Sequence, residues 1–190
     1  MNLIDATTVT VGHPFRGSIK EVPDTGYRAV QMKNVTPEQG VDWSSVAETE
    51  VSGRRTDWLC DGDILFAARG SRNYAALVEN CPEQVVAAPH FFVIRVKPGE
   101  PLLPEYLVWF LNQAPTSRYF RREAEGTRTL SIRRSVLENT PIAVPPLGKQ
   151  QQIVGLHATL RREQQIAKQL VRNGETMMDA IAIDLLNRHS

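Results

Sequence analysis

Alternation of apolar and polar positions first becomes regular at residues 27–35 (YRAVQMKNV), which predicts a strand running into a loop. Residues 36–57 are polar, with Gly40 and Gly53, and read as a long connection. The run 59–79 (LCDGDILFAARGSRNYAALVE) then carries a turn at Asp61-Gly62, a strand over Asp63–Ala67 and a second strand over Ala75–Glu79. A polar loop with two arginines, residues 69–74, separates these strands. Residues 84–88 (QVVAA) and 90–96 (HFFVIRV) are two further β-rich runs. From Pro104 the period lengthens: apolar residues at 107, 108, 110 and 111 follow a proline suited to a helix start. A short helix is expected over 115–124, a break at Gly126-Thr127-Arg128, and a helical turn over Ser131–Leu137. Residues 141–146 (PIAVPP) read as extended, because proline cannot donate to a ladder.

Beyond Pro146 the chain has no further proline up to Arg188, and only Gly155 and Gly174 interrupt the Lys149–Arg188 stretch. Ile153, Leu156, Leu160, Ala167, Leu170, Met177 and Ile181 recur at spacings of 3 and 4, with Glu163 and Gly174 filling the two gaps. This is a heptad-like seam that asks for a partner helix. The other reading is two shorter helices, broken near Asn173-Gly174 and folded back as a hairpin. The expected class is therefore α+β: a mixed globular domain over residues 1–147, and a long helical, coiled-coil-like segment over 148–190 for dimerisation or spacing.

Composition narrows the function classes. No stretch approaches ~18 consecutive apolar residues, so no membrane span is expected. The start MNLIDATTVTVGHPF lacks the basic and apolar regions of a signal peptide. Cys60 and Cys81 are expected to be reduced rather than bridged, and the whole points to the cytoplasm. Net charge is only +1. Between residues 118 and 134, however, six arginines face two glutamates, a local balance of +4. Arginine suits bidentate phosphate and guanine contacts, although a solvated helix face with local ion pairs has the same composition.

Signals for covalent chemistry are poor. No phosphate-binding glycine loop of the GxxxxGK[ST] type occurs, and His13, His90, His157 and His189 show no metal-ligand spacing with the cysteines. Val144-Pro145-Pro146-Leu147 lacks the polar first residue and aromatic last residue of an amino-methyltransferase motif. Asp61 and Asp63 read as turn and strand-entry residues, with no Glu-x-Lys elsewhere to complete a magnesium nuclease. The chain is expected to bind no metal or cofactor and to catalyse nothing by itself.

Four segments in order resemble the specificity subunits of Type I restriction–modification systems. They are residues 59–70 (LCDGDILFAARG); residues 103–111 (LPEYLVWFL); Gly126-Thr127 with Leu130-Ser131-Ile132 and Leu137; and residues 142–147 (IAVPPL) with Gln150-Gln151-Gln152-Ile153-Val154. The resemblance implies one target-recognition domain followed by one of two conserved helices, half of a full subunit. It further implies double-stranded DNA as ligand and a methyltransferase (modification) subunit as partner. That partner is expected to carry S-adenosylmethionine and act on adenine N6, with a restriction/translocase subunit in the larger assembly. Two copies joined along the seam 153–181 would read a gapped palindrome as a homodimer.

Candidate DNA contacts follow from residue chemistry. Arg69 and Arg72 can fork onto guanine, Asn73 can pair with adenine, and Tyr74 either stacks or belongs to the core. Gly70 and Ser71 complete that loop, with Gly70 allowing close backbone approach or simply meeting a turn requirement. Gln31, Lys33 and Asn34 form a second candidate loop. Thr127 and Arg128, in the third matched segment, are expected at the groove or backbone; Arg121, Arg122, Arg133 and Arg134 are expected on phosphates. Two other readings stay open: a protein–protein adaptor with weak, non-specific DNA binding, and a nuclease using Asp61, Asp63 and His90.

Overall fold

Strand β9 (Phe91–Val96) organises the fold through its antiparallel pairing with both β1 (Thr7–Val11) and β5 (Ile64–Ala67). The structure is a computed structural model and describes residues 1–51, 58–70, 72–124 and 130–188. In chain order the elements are α1 (Leu3–Ala6), β1, β2 (Arg28–Val30), β3 (Val35–Thr36), β4 (Gly40–Val41), β5, β6 (Arg69–Gly70), β7 (Ala75–Leu77), β8 (Val85–Ala87) and β9. Then come α2 (Pro104–Leu111), α3 (Ala114–Glu123), β10 (Leu130–Ser131), α4 (Arg134–Glu138) and α5 (Leu147–Arg188). Short 3-10 turns cover Met32–Asn34 and Trp43–Ser45.

The main sheet has the order β1-β9-β5-β7. All four residues of β5 are buried, so both faces of the sheet are covered, and its apolar run is unbroken for that reason. Leu65 and Ala67 point one way, into a core shared with Val30, Val35, Val46, Val85, Ala87 and Phe91. This layer is built from the two-residue strands β3 and β4 and the parallel three-residue pair β2–β8. Ile64 and Phe66 are the alternate residues of β5, and the Phe66 ring meets Phe120 of α3 at 5.0 Å.

The expected strands at 63–67, 75–79, 84–88 and 90–96 are present as β5, β7, β8 and β9 with trimmed ends. Three elements differ from expectation. The run 27–35 is a three-residue strand followed by a 3-10 turn, and part of the expected connection 36–57 forms the β3–β4 hairpin, with Gly40 at φ +73°. The N-terminus forms α1 and β1, an edge strand in which Thr7 and Val9 are buried while Thr8 and the terminal Val11 are exposed. Its order depends on distant partners: Leu3 N–H donates to Thr140 O at 2.9 Å and Ile142 N–H to Met1 O at 2.9 Å.

Asp63 is the strand-entry residue expected. Its buried carboxylate accepts both Arg95 Nε and Nη2 at 2.6 Å, and the Cys60 N–H at 2.9 Å. Asp61 accepts the Cys81 N–H at 2.7 Å, so both aspartates are tied to the fold rather than aimed at a ligand. Both cysteines are free thiols.

The chain divides into two compact units, Met1–Gln151 and Gln152–Ser190. In the first, Gln150 is fully buried; its Oε1 accepts Leu103 N–H at 2.9 Å, and its Nε2 donates to Pro101 O and Pro145 O at 2.7 Å each. The second is helical throughout its described residues. Helix α5 runs 42 residues without interruption, so the hairpin alternative is overturned. One glycine inside a helix costs only about 1 kcal/mol, too little to end it without a proline. Among the described residues no helix is long and apolar enough to cross a membrane.

Candidate nucleic-acid interface

The candidate arginine-bearing loop grows out of β5 and is closed by a tyrosine. Ala67 N–H donates to Tyr74 O at 2.8 Å, and Asn73 Nδ2 donates to Ala67 O at 2.9 Å, so the chain that leaves β5 at Ala67 returns to it at Asn73 and Tyr74. On its outgoing side β6 pairs with β10, Leu130 opposite Gly70 and Ser131 opposite Arg69. Ile132 N–H donates to Ala68 O at 2.9 Å and continues this short ribbon. Gly70 has φ +144°, a conformation that side-chain-bearing residues rarely adopt, so its glycine is a backbone requirement. A Cβ there would lie 3.6 Å from Met32 Cε, which places the 31–34 turn against the same loop.

Arg72 is exposed; its guanidinium lies 5.9 Å from the Tyr74 ring centroid and its Nη2 3.4 Å from Glu38 Oε1. Glu38 belongs to the β3–β4 hairpin, so three separate segments meet at one place: 31–34, the hairpin, and 69–74. Arg69 and Lys33 are exposed too, with Lys33 Nζ 3.8 Å from Glu21 Oε1. Gln31 is half-buried beside them. Glu38 and Met32 escaped the sequence reading. Their partners are 34 and 38 positions away, and no local pattern marks that closeness.

Two candidate contacts are corrected. Asn34 is 2% exposed; its Oδ1 accepts Gln31 N–H at 2.8 Å, and its Nδ2 donates to Ser45 O at 2.7 Å and Ser45 Oγ at 3.0 Å. It pins the turn and has no edge to offer a base. Tyr74 is 8% exposed, and its hydroxyl donates to Val35 O at 3.0 Å. Burial raises its pKa, and the ring serves as a floor for Arg72 rather than a base platform. Asn73 is half-buried, and one of its two Nδ2 hydrogens is donated to Ala67 O.

The remaining cations are exposed on helices. Helix α3 buries Thr116 and Phe120 and exposes Arg118, Arg121 and Arg122. Arg122 Nε is 3.0 Å from Glu123 Oε1 and its guanidinium 5.9 Å from the Tyr119 ring. Arg133 occupies the N-cap position of α4, and Arg134 pairs with Glu138 at 2.7 Å one turn along. Ser71, Thr127 and Arg128 lie outside the described residues. Among the described residues no group of three or more His, Cys, Asp and Glu side chains is placed to hold a metal ion.

A mixed α+β domain that presents a loop cluster, followed by a long helix, defines the fold class of Type I specificity subunits. The chain matches the S subunit of the Type I system of M. genitalium with a TM-score of 0.54 at 14% identity, covering 84% of this chain and 37% of that one. It matches the HsdS subunit of Thermoanaerobacter tengcongensis with a TM-score of 0.63 at 20% identity, covering 87% and 43%. A third match, a chain solved for the assembly and conformational transition of a type I R-M system, has a TM-score of 0.61 at 18% identity over 92% and 40%. The chain thus spans about two fifths of the length of these solved chains. No curated protein sequence matches it. Residues 26–171 match the family described as the Type I restriction modification DNA specificity domain, and the chain belongs to that family.

Proposed function

We propose that this chain reads DNA sequence as the specificity component of a Type I-like restriction–modification or related phage-defence system. The carrying observation is the meeting of the 31–34 turn, the β3–β4 hairpin and the 69–74 loop around exposed Arg69 and Arg72. Arg69 and Arg72 are assigned to base edges, Gln31 and Lys33 to flanking contacts, and Arg121, Arg122, Arg133 and Arg134 to phosphates. Residues 1–147 act as the recognition domain and 148–190 as the pairing helix. Two copies read a gapped palindrome as a homodimer and direct a partner N6-adenine methyltransferase, which brings S-adenosylmethionine; the chain itself catalyses nothing. Flipping of the target adenine falls to that partner.

The test is selection of bound duplexes from a random library, with and without a co-expressed methyltransferase subunit. A gapped palindrome is expected. Arg72→Ala is expected to lose roughly 1–3 kcal/mol and relax one base position. A uniform loss over all sequences with a shallower salt slope would reassign Arg72 to phosphate. The adaptor reading draws on the carboxylates that already face Lys33, Arg72 and Arg134, and no enriched motif in either condition would favour it.

A further inference from the structure

Helix α5 passes through Gly174 unbroken, so the two flaws of its seam, Glu163 and Gly174, stand on one continuous face. A Cβ placed at Gly174 meets nothing within 4 Å. The apolar seam residues beside it are open, with Leu156 63% and Leu170 66% exposed. We infer that this face takes a second copy of the chain in one antiparallel register, in which Glu163 of each helix fills the space over Gly174 of the other. This rests on the homodimer reading above, with the antiparallel direction that the family resemblance implies, and adds the register to it.

The order of apolar and polar positions along the seam sets the register. In an antiparallel pair the first and fourth heptad positions face each other. Setting Glu163 over Gly174 then sets Leu156 against Ile181, Leu160 against Met177 and Ala167 against Leu170, three wholly apolar pairs, with Ile153 facing Asp184 at the end of the seam. A slip of one heptad leaves fewer wholly apolar pairs: two in one direction (Ile153 with Met177, Leu160 with Leu170) and one in the other (Ala167 with Met177). Parallel pairing sets Glu163 against Glu163 and leaves a void between two copies of Gly174. Charge points the same way. Residues 149–168 carry four basic side chains and Glu163, net +3, and residues 169–188 carry Arg172 and Arg188 against Glu175, Asp179 and Asp184, net −1. Only antiparallel pairing brings the unlike halves together. The matched seam is about 38 Å long at ~1.5 Å per residue, and a one-heptad slip would offset the two helices by about 10 Å, the length of about three base pairs. The register therefore sets the spacer of the site.

The test uses the full chain with Cys60→Ser and Cys81→Ala, checked for native circular dichroism. Leu156→Cys and Ile181→Cys chains are treated with a short bis-maleimide, separately and mixed. The mixture is expected to give a covalent dimer and neither variant alone to do so. Cross-linking of Leu156→Cys by itself, or none in the mixture while sedimentation shows a dimer, overturns the register and leaves the homodimer standing. A monomer at micromolar concentration overturns both. In the native-cysteine chain, Gly174→Leu is expected to weaken dimerisation on the order of tenfold, by setting Leu against a carboxylate, and Glu163→Ala in the same chain to restore it. Absence of that restoration also overturns the register.

Discussion

Gln150 joins three backbone groups inside the first compact unit, and replacing it gives the sharpest test of how that unit is held. Gln150→Leu keeps the volume and removes all three hydrogen bonds of a side chain that has no exposed surface. The Leu103 N–H loses its acceptor, at a cost of roughly 1–3 kcal/mol for a buried donor left unmade. Pro101 is exposed and Pro145 half-buried, so their carbonyls regain water and add less. The sum is about 2–4 kcal/mol, or a fall in Tm of roughly 5–15 °C for a chain of this size. Gln150→Glu separates geometry from charge. Its carboxyl still accepts from Leu103, but its second oxygen faces two carbonyl oxygens. Its folded pKa must therefore rise above the ordinary Glu value of about 4.3, so the penalty is absent below that pH and grows as pH increases. Denaturant unfolding at one protein concentration, at pH 4 and pH 7.5, measures both variants. A Gln150→Leu protein within about 0.5 kcal/mol of the parent, or a Gln150→Glu protein with no excess pH dependence, would refute the account.

Asn34→Ala is expected to cost about 1–3 kcal/mol of stability through the orphaned Gln31 N–H and Ser45 O, while the preferred DNA site stays unchanged; a shifted site in the library selection would return Asn34 to base reading. Tyr74→Phe is expected to lose about 1 kcal/mol by denaturant titration and to leave sequence preference intact, because the hydroxyl is spent on Val35 and the ring remains under Arg72. Burial, aided by the Asp61, Cys60 and Asp63 charges, pushes the Cys81 thiol up to about 12, whereas Cys60 is exposed. Mass spectrometry of iodoacetamide-treated protein at pH 8 is expected to show modification at Cys60, with Cys81 reacting only after denaturation.

Much of this was legible along the chain. The unbroken apolar run ILFA, the Pro104 helix start and the heptad-like spacing after Pro146 each express a local rule, and the strands and helices appear where those rules put them. Continuity through Gly174 was open in sequence because a lone glycine weakens a helix without forbidding it. Site residues fared less well, for a physical reason. An asparagine in a polar loop has the same local signature whether its amide meets a base or a neighbouring carbonyl. Asn34 is decided by Ser45, eleven positions on, and Tyr74 by Val35, thirty-nine positions back.

The sequence by itself determined the class of fold, the arginine-bearing loop after β5 and the two flaws of the helical seam, since each depends on spacing and residue type alone. Only the tertiary structure decided which polar side chains the fold consumes and which it leaves at the surface. Asn34 and Gln150 were consumed; Arg69 and Arg72 remain exposed, with Arg72 held between Tyr74 and Glu38. A buried polar group must find a partner wherever the chain supplies one, and that partner is set by three-dimensional proximity, which local pattern does not encode.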